Sequence, residues 1–354
     1  MLLPWSGLAG VALIAFLWSD RFALDPADPT QTAVLAVTFA LLFYVSILGH
    51  ELAHAWVAGA VGYPVHSITL WVLGGFTSYE RRTESALREG LIAASGPVSS
   101  VLIGLGAAAV SRSALSSDLR VYVLAEALAV SNILLGVYNA LPGLPLDGGA
   151  VLKSVVWGIT RDERRGTIVA AWSGRVVAVI IFAAPLLLAW RAERDPDIST
   201  VVVGGLIAAY LYAGASDALK RAVVGARVPG LTARGLARRA VVVVHDLPLS
   251  EALRQLEVAG AGAIVVVDSD GRPIALSHEP SVSAVPVQRR PWVPVSSVSA
   301  TYDQRAVLTA DLAGEELLRA LTAFPATEYL VVDPAGGPLV GVLTASDVER
   351  ALSG

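Results

Sequence analysis

Five consecutive residues carry the strongest chemical signal in this chain: His50-Glu51-Leu52-Ala53-His54. On a helix, side chains four apart are neighbours, so the two imidazoles can share one divalent ion at bond lengths of about 2.0–2.1 Å. Glu51 is placed to take a proton from water at that ion rather than to ligate it, which makes it a candidate general base. H-E-x-x-H therefore reads as a hydrolytic zinc site. The motif sits inside an apolar stretch long enough to cross a membrane, where a charged group costs about 2.5–3.5 kcal/mol on insertion scales. Three polar groups in one such turn imply a use.

Two His do not complete a catalytic zinc site, which takes three protein ligands and an open position. With no Cys and only five His in the chain, any metal is held by His and carboxylates. Asp147 is the candidate third ligand, at the end of Asn139-Ala-Leu-Pro142-Gly-Leu-Pro145-Leu-Asp147-Gly148-Gly149. Pro142 and Pro145 break the preceding helix, and Gly148 and Gly149 let the backbone turn closely. Alone, Asp147 also reads as an N-cap for the amphipathic segment 148–160. Two His and a carboxylate also describe a non-haem iron site, but the Glu within the motif favours hydrolytic zinc.

The elements that must position these residues follow from composition. Of 354 residues, 55% are hydrophobic and 16% charged, against roughly 25% charged in a soluble chain, so much of this one faces lipid. The net charge of -4 carries no basic excess and argues against nucleic acid as a partner. Apolar stretches near 4–19, 32–60, 89–111, 121–142, 166–190 and 198–219 predict about six spans. The segment before the first carries no Lys or Arg, which argues against a cleaved signal peptide. Arg81, Arg82, Arg88, Lys153, Arg161, Arg164, Arg165, Lys220, Arg221 and Arg227 follow alternate spans and predict that both termini are cytoplasmic.

From about residue 235 the pattern changes to β-branched strands alternating with amphipathic helices. It also repeats. Glu251–Leu256, Ala263–Asp268 and Gly271–Ile274 return as Glu316–Leu321, Tyr329–Asp333 and Gly336–Leu339. The predicted fold class is a multi-span α-helical membrane protein, residues 1–222, then a linker over 223–239 rich in Arg, Gly and Ala. A C-terminal α/β tandem pair follows over 240–354, its halves about 240–290 and 291–354.

The membrane part resembles the site-2 protease family of intramembrane zinc metalloproteases. The matching marks, in the family's order, are the H-E-x-x-H run, Gly74-Gly75, Ser95-Gly96-Pro97, and Asn132 through Asn139 leading into Leu141-Pro142…Pro145-Leu146-Asp147-Gly148-Gly149. The resemblance implies hydrolysis of a transmembrane segment of another, single-span protein, with His50, His54 and Asp147 as zinc ligands and Glu51 as base. It further implies a strand-like element over Val65–Ser78, including Gly74 and Gly75, beside which an unwound substrate pairs. Asn139 would contact the substrate backbone or oxyanion, or else brace the Pro-rich loop. Many relatives carry residues before the first span, which leaves open a start upstream of Met1.

The tandem repeat resembles a cystathionine-β-synthase-type (CBS) domain pair, a module that often binds adenine nucleotides. In Gly341-Val-Leu-Thr344-Ala-Ser346-Asp347-Val348, Thr344 and Asp347 match its phosphate- and ribose-contacting positions. The first copy has Ser281 where the acidic residue would fall, so it departs from the pattern. The other reading of the pair is a nucleotide-free module for homodimerisation or docking. His66, His245 and His278 are not counted as ligands. The competing function is a CBS-regulated transporter or channel using the intramembrane polar groups as an ion path.

Overall fold

Long apolar runs become long helices, and local capping decides where each begins. The computed structural model describes residues 5–25, 27–71, 74–81, 84–113, 117–193, 195, 197–277, 279–334 and 337–353. It divides into two units, Met1–Ala222 and Val223–Gly354. Arg82, His278 and Gly336, each used in the sequence reading, lie outside the described residues.

Helix α1 (Trp5–Trp18) lies along α2 (Pro29–Ala60), with Ala15, Leu35, Phe39 and Val123 in one apolar cluster. Asp28 starts α2 by accepting from the amide of Gln31, with Pro29 at the first helical position. After α2 the chain reverses through Gly62, whose φ of +90° suits a residue without Cβ, and forms a hairpin of β1 (Val65–Trp71) and β2 (Gly74–Tyr79). Then come α3 (Ala86–Ser111), α4 (Leu119–Asn139), α5 (Asp147–Thr160), α6 (Glu163–Arg191) and α7 (Ile198–Gly225).

Among the described residues α2, α3, α4, α6 and α7 are long and apolar enough to cross a membrane. The expected first span forms the 14-residue α1, about 21 Å long at 1.5 Å per residue and short of a ~30 Å core. The fourth expected stretch ends as helix at Asn139 rather than 142, because Pro142 disfavours helical backbone in the residue before it.

Small residues let the spans approach. A Cβ on Gly104 would lie under 3.0 Å from Ile133, and one on Gly136 would meet the Pro97 carbonyl and Val101 as closely, so α3 and α4 touch backbone to backbone. Asn132, fully buried on α4, donates to Ser46 of α2 at 3.2 Å and to the Leu128 carbonyl. The exit of β2 is tied by charge. Arg81 pairs with Glu89 at 3.0 Å and Glu163 at 2.9 Å, and Lys153 pairs with Glu163 at 2.7 Å.

In the second unit, α8 (Ala233–Leu236) precedes β3 (Ala240–Val244), α9 (Leu249–Val258), β4 (Ala263–Val267) and β5 (Pro273–Ser277). After α10 (Glu279–Ser283) and β6 (Ser299–Thr301), the same order returns as β7 (Val307–Thr309), α11 (Gly314–Ala323), β8 (Glu328–Val332) and β9 (Leu339–Thr344), closed by α12 (Ala345–Ser353). In each copy the first two strands are parallel and the third is antiparallel to the second. β6, just before the second copy, pairs with β5 of the first. Arg238, just before the first copy, exchanges backbone hydrogen bonds of 2.9 and 3.0 Å with Val342 of the second. Val265 and Leu276 share an apolar cluster with Leu330 and Val342 of the other sheet.

The stretch 223–239, expected as a linker, carries structure of its own. Helix α7 continues to Gly225, a helical turn follows at Val228–Gly230, and Leu231 and Ala233 are buried in the core of the second copy.

Candidate metal centre

The site is built by three elements. α2 presents His50, Glu51 and His54, all buried, from its C-terminal half. α5 presents Asp147, which is its first residue, with Leu146 in the capping position. It is therefore not the N-cap that the sequence allowed. The start of a helix favours a carboxylate electrostatically. α3 backs both imidazoles.

His50 Nε2 lies 3.0 Å from Asp147 Oδ2, His54 Nε2 lies 3.4 Å from the same oxygen, and the two Nε2 atoms are 3.2 Å apart. A tetrahedral zinc with bonds of about 2.0–2.1 Å separates its ligand atoms by about 3.3–3.4 Å. At His54 the far ring nitrogen fixes the tautomer. His54 Nδ1 is 2.7 Å from the Ile92 carbonyl, which can only accept, so Nδ1 carries the proton and Nε2 presents a lone pair. His50 Nδ1 bonds the hydroxyl of the fully buried Ser100 at 2.9 Å. Two imidazole nitrogens and a carboxylate oxygen brought to one point make a donor set for a cation, and His50, His54 and Asp147 can hold a metal ion.

Gly96 explains how α3 comes so close. A Cβ there would lie under 3.0 Å from Nε2 of both His50 and His54. Gly148 and Gly149 serve packing rather than a turn, contrary to the sequence expectation. Neither has a positive φ, and a Cβ on either would collide with the backbone of residues 140–144.

Glu51 faces the hairpin. Thr77 of β2 donates to Glu51 Oε2 at 2.7 Å, and its hydroxyl also lies 3.1 Å from the Glu51 carbonyl. Gly75, on the same strand face two residues earlier, packs so tightly on the Glu51 side chain that a Cβ would lie under 3.0 Å from three of its atoms. Thr77 thus engages Oε2, and Oε1 is the carboxylate oxygen that can accept a proton.

Of the residues singled out in the sequence, Gly75 is brought to Glu51, and Gly74 lies beside it in the hairpin paired with Trp71. Asn139 donates to the Leu135 carbonyl of its own helix at 3.1 Å. His66 is exposed, 3.7 Å from Glu80, and His245 lies exposed in a turn. Sequence reasoning assigned no role to Thr77, Ser100 or Gly96. The signal available was Thr77 standing two residues after Gly75, and therefore on the same strand face.

In the second unit Thr344 and Asp347 are together but engaged. Thr344 donates to Asp347 Oδ2 at 2.6 Å, and Arg238 reaches Asp347 at 3.0 Å and Thr344 at 3.1 Å. Burial pushes the Asp347 carboxyl up. Hydrogen bonds from the side chain and amide of Thr344 and the charge of Arg238 outweigh it and hold the group below the ordinary carboxylate range. Ser281 lies on α10.

The chain is similar to known proteins over most of its length. Residues 38–117 and 113–184 match the profile of Peptidase family M50. Rip3 of Mycobacterium tuberculosis, classed among the zinc metalloproteases, is 30% identical over 365 residues, covering 98% of this chain and 89% of its own. A zinc metalloprotease of Methanocaldococcus jannaschii is 26% identical over 320 residues, covering 90% and 85%. The solved site-2 protease of that organism aligns with 61% of this chain and 89% of its own, at 24% identity and a TM-score of 0.42.

Proposed function

The chain belongs to Peptidase family M50, the site-2 protease family, and from that premise we propose that it hydrolyses a peptide bond in or near a transmembrane segment of a single-span membrane protein. The observation that carries this reading is the convergence of His50 Nε2, His54 Nε2 and Asp147 Oδ2 at the membrane helix that also bears Glu51. The family and the relatives' names favour an enzyme over a transporter.

In this reading His50, His54 and Asp147 hold zinc, which when bound supplies Lewis acidity to the scissile carbonyl and to water. Glu51 accepts the proton of the attacking water at Oε1 and delivers it to the leaving amide nitrogen. Thr77 holds the other carboxylate oxygen, so the base has one working atom. Ser100 and the Ile92 carbonyl keep both Nε2 atoms turned to the ion. Asn139, Gly74 and Gly75 contact the substrate, which pairs as an extended strand with the hairpin. A peptide bond in an intact helix is shielded, so the segment unwinds first. Both termini face the cytoplasm, and the CBS-type pair, through an adenine nucleotide at Thr344 and Asp347 or through homodimerisation, regulates cleavage.

The test is co-expression with candidate single-span membrane proteins, comparing wild type with Glu51→Gln by immunoblot. A shortened product only with wild type, with zinc retained by both proteins, supports the assignment. Equal products from both would end it.

A further inference from the structure

Arg175 is a half-buried cation in α6, a helix long and apolar enough to cross a membrane. On that helix the exposed Trp172 and Trp190 stand 18 residues apart, about 27 Å at 1.5 Å per residue. Aromatic residues at that separation mark the two faces of a ~30 Å hydrocarbon core. A long helical side chain leans back toward the N-terminus, which returns the Arg175 guanidinium to the level of Trp172. Its centre lies 4.8 Å from the Trp172 ring and 5.3 Å from the Tyr212 ring of α7. Nε and Nη2 donate to the Ser216 hydroxyl of α7 at 3.2 and 3.1 Å, and that hydroxyl donates to the Tyr212 carbonyl. Among the described residues no carboxylate pairs with Arg175, and its other N–H groups have no acceptor; Asp217, beside Ser216, is exposed and forms no ion pair with it.

We propose that Arg175, walled by Trp172 and Tyr212, binds the phosphate of an anionic glycerophospholipid between α6 and α7. A charge in a membrane span is costly unless something pairs with it. The Ser216 hydroxyl and two ring faces attract the cation without neutralising it. A guanidinium presents planar, forked donors that match two phosphate oxygens, and rings on two sides hold that plane in place. Trp172 and Tyr212 are 55% and 49% exposed, so the site is open to a lipid from outside the bundle. A headgroup of net negative charge supplies the missing counter-charge, whereas a zwitterionic one carries its own cation. The site also has a structural reach. Ser173 donates to the Pro142 carbonyl, Gly174 presses on Leu144, and Gly214 of α7 presses on the Pro145 ring. The segments flanking Arg175 and Ser216 therefore seat the loop that ends at Asp147, and a headgroup held between them braces that seat. None of this depends on the protease reading.

The test uses delipidated full-length protein in detergent, given equimolar palmitoyl-oleoyl phosphatidylglycerol and phosphatidylcholine, with the lipid retained after affinity capture counted by mass spectrometry. Wild type should retain phosphatidylglycerol over phosphatidylcholine by about fivefold, the effect of one basic side chain on anionic lipid. Arg175→Gln should abolish that excess. Arg191→Gln, which removes an exposed charge at the opposite end of α6, should keep it. Arg175→Lys, which retains the charge without the fork, should keep an intermediate excess. Phosphatidylglycerol should also raise the thermal midpoint of wild type and leave that of Arg175→Gln unmoved. A wild-type excess in Arg175→Gln overturns the site, as does an equal loss in Arg191→Gln. Should Arg175→Gln fail to fold, Arg175→Lys decides, and an undiminished excess there is the overturning result. Inorganic phosphate is the third ligand arm of the thermal measurement. If it stabilises wild type as well as phosphatidylglycerol does, the ligand is a soluble phosphate and the lipid assignment falls.

Discussion

At the scale of single residues, the site depends on contacts that admit little change. Thr77 holds Glu51 through one short hydrogen bond to a carboxylate oxygen, and bonds of this charged type contribute about 1.5–3 kcal/mol. Thr77→Ala should lower kcat roughly 10- to 100-fold with KM and zinc content unchanged, and Thr77→Ser should restore most of it. Gly96→Ala places a methyl against both Nε2 atoms, so metal analysis should find zinc well below stoichiometric and no cleavage. His50, Glu51, His54 and Asp147 could be picked out in the sequence because helical spacing, intramembrane cost and a helix-breaking loop mark them independently. Ser100 and the Ile92 carbonyl could not, and Thr77 only through its spacing from Gly75. Hydroxyls and carbonyls are everywhere, and only the crossing of α3 with α2 and the placement of the hairpin give these three a partner.

Among the elements, α5 is the part whose placement matters most, because its first residue is the third member of the candidate donor set. Its seat is backbone on backbone: Gly148 and Gly149 rest on residues 140–144, and Gly174 of α6 rests against Leu144. Gly148→Ala would overpack that seat, which costs about 1–3 kcal/mol. It should lower the thermal midpoint and weaken zinc retention together, whereas Gly158→Ala, on the same helix with ordinary room around it, should do neither. The long helices were readable from apolar run length, but their starts were not: Asp28, Ser85, Asp118 and Asp162, each of which accepts a backbone amide, begin them three or four residues before the apolar runs. The hairpin was visible only as a strand-like stretch. What the two glycines after Asp147 do was misread, because sequence shows that a side chain is missing but not whether torsion or proximity requires it.

Across the whole chain, two units with different solvents divide membrane chemistry from α/β packing. The change of periodicity near residue 235 showed this division, but the burial of Leu231 and Ala233 within 223–239 did not show. Asp347 provides a test of the second unit. Its carboxyl is held below the ordinary range, so the stability it contributes is present above the unfolded value near 3.9 and is lost as pH falls below it. Asp347→Asn should destabilise this unit by about 1–2 kcal/mol at neutral pH, discounted for the part-exposed Arg238. The gap from wild type should close as pH falls below about 4, read by thermal unfolding of the full chain. The exchange of segments between the copies binds their folding together. β6 completes the sheet of the preceding copy, and Arg238 reaches β9 of the following one. A solitary copy would keep a bare strand edge and would recruit a twin molecule to cover it. Neither copy can therefore be deleted without leaving its sibling's sheet unfinished.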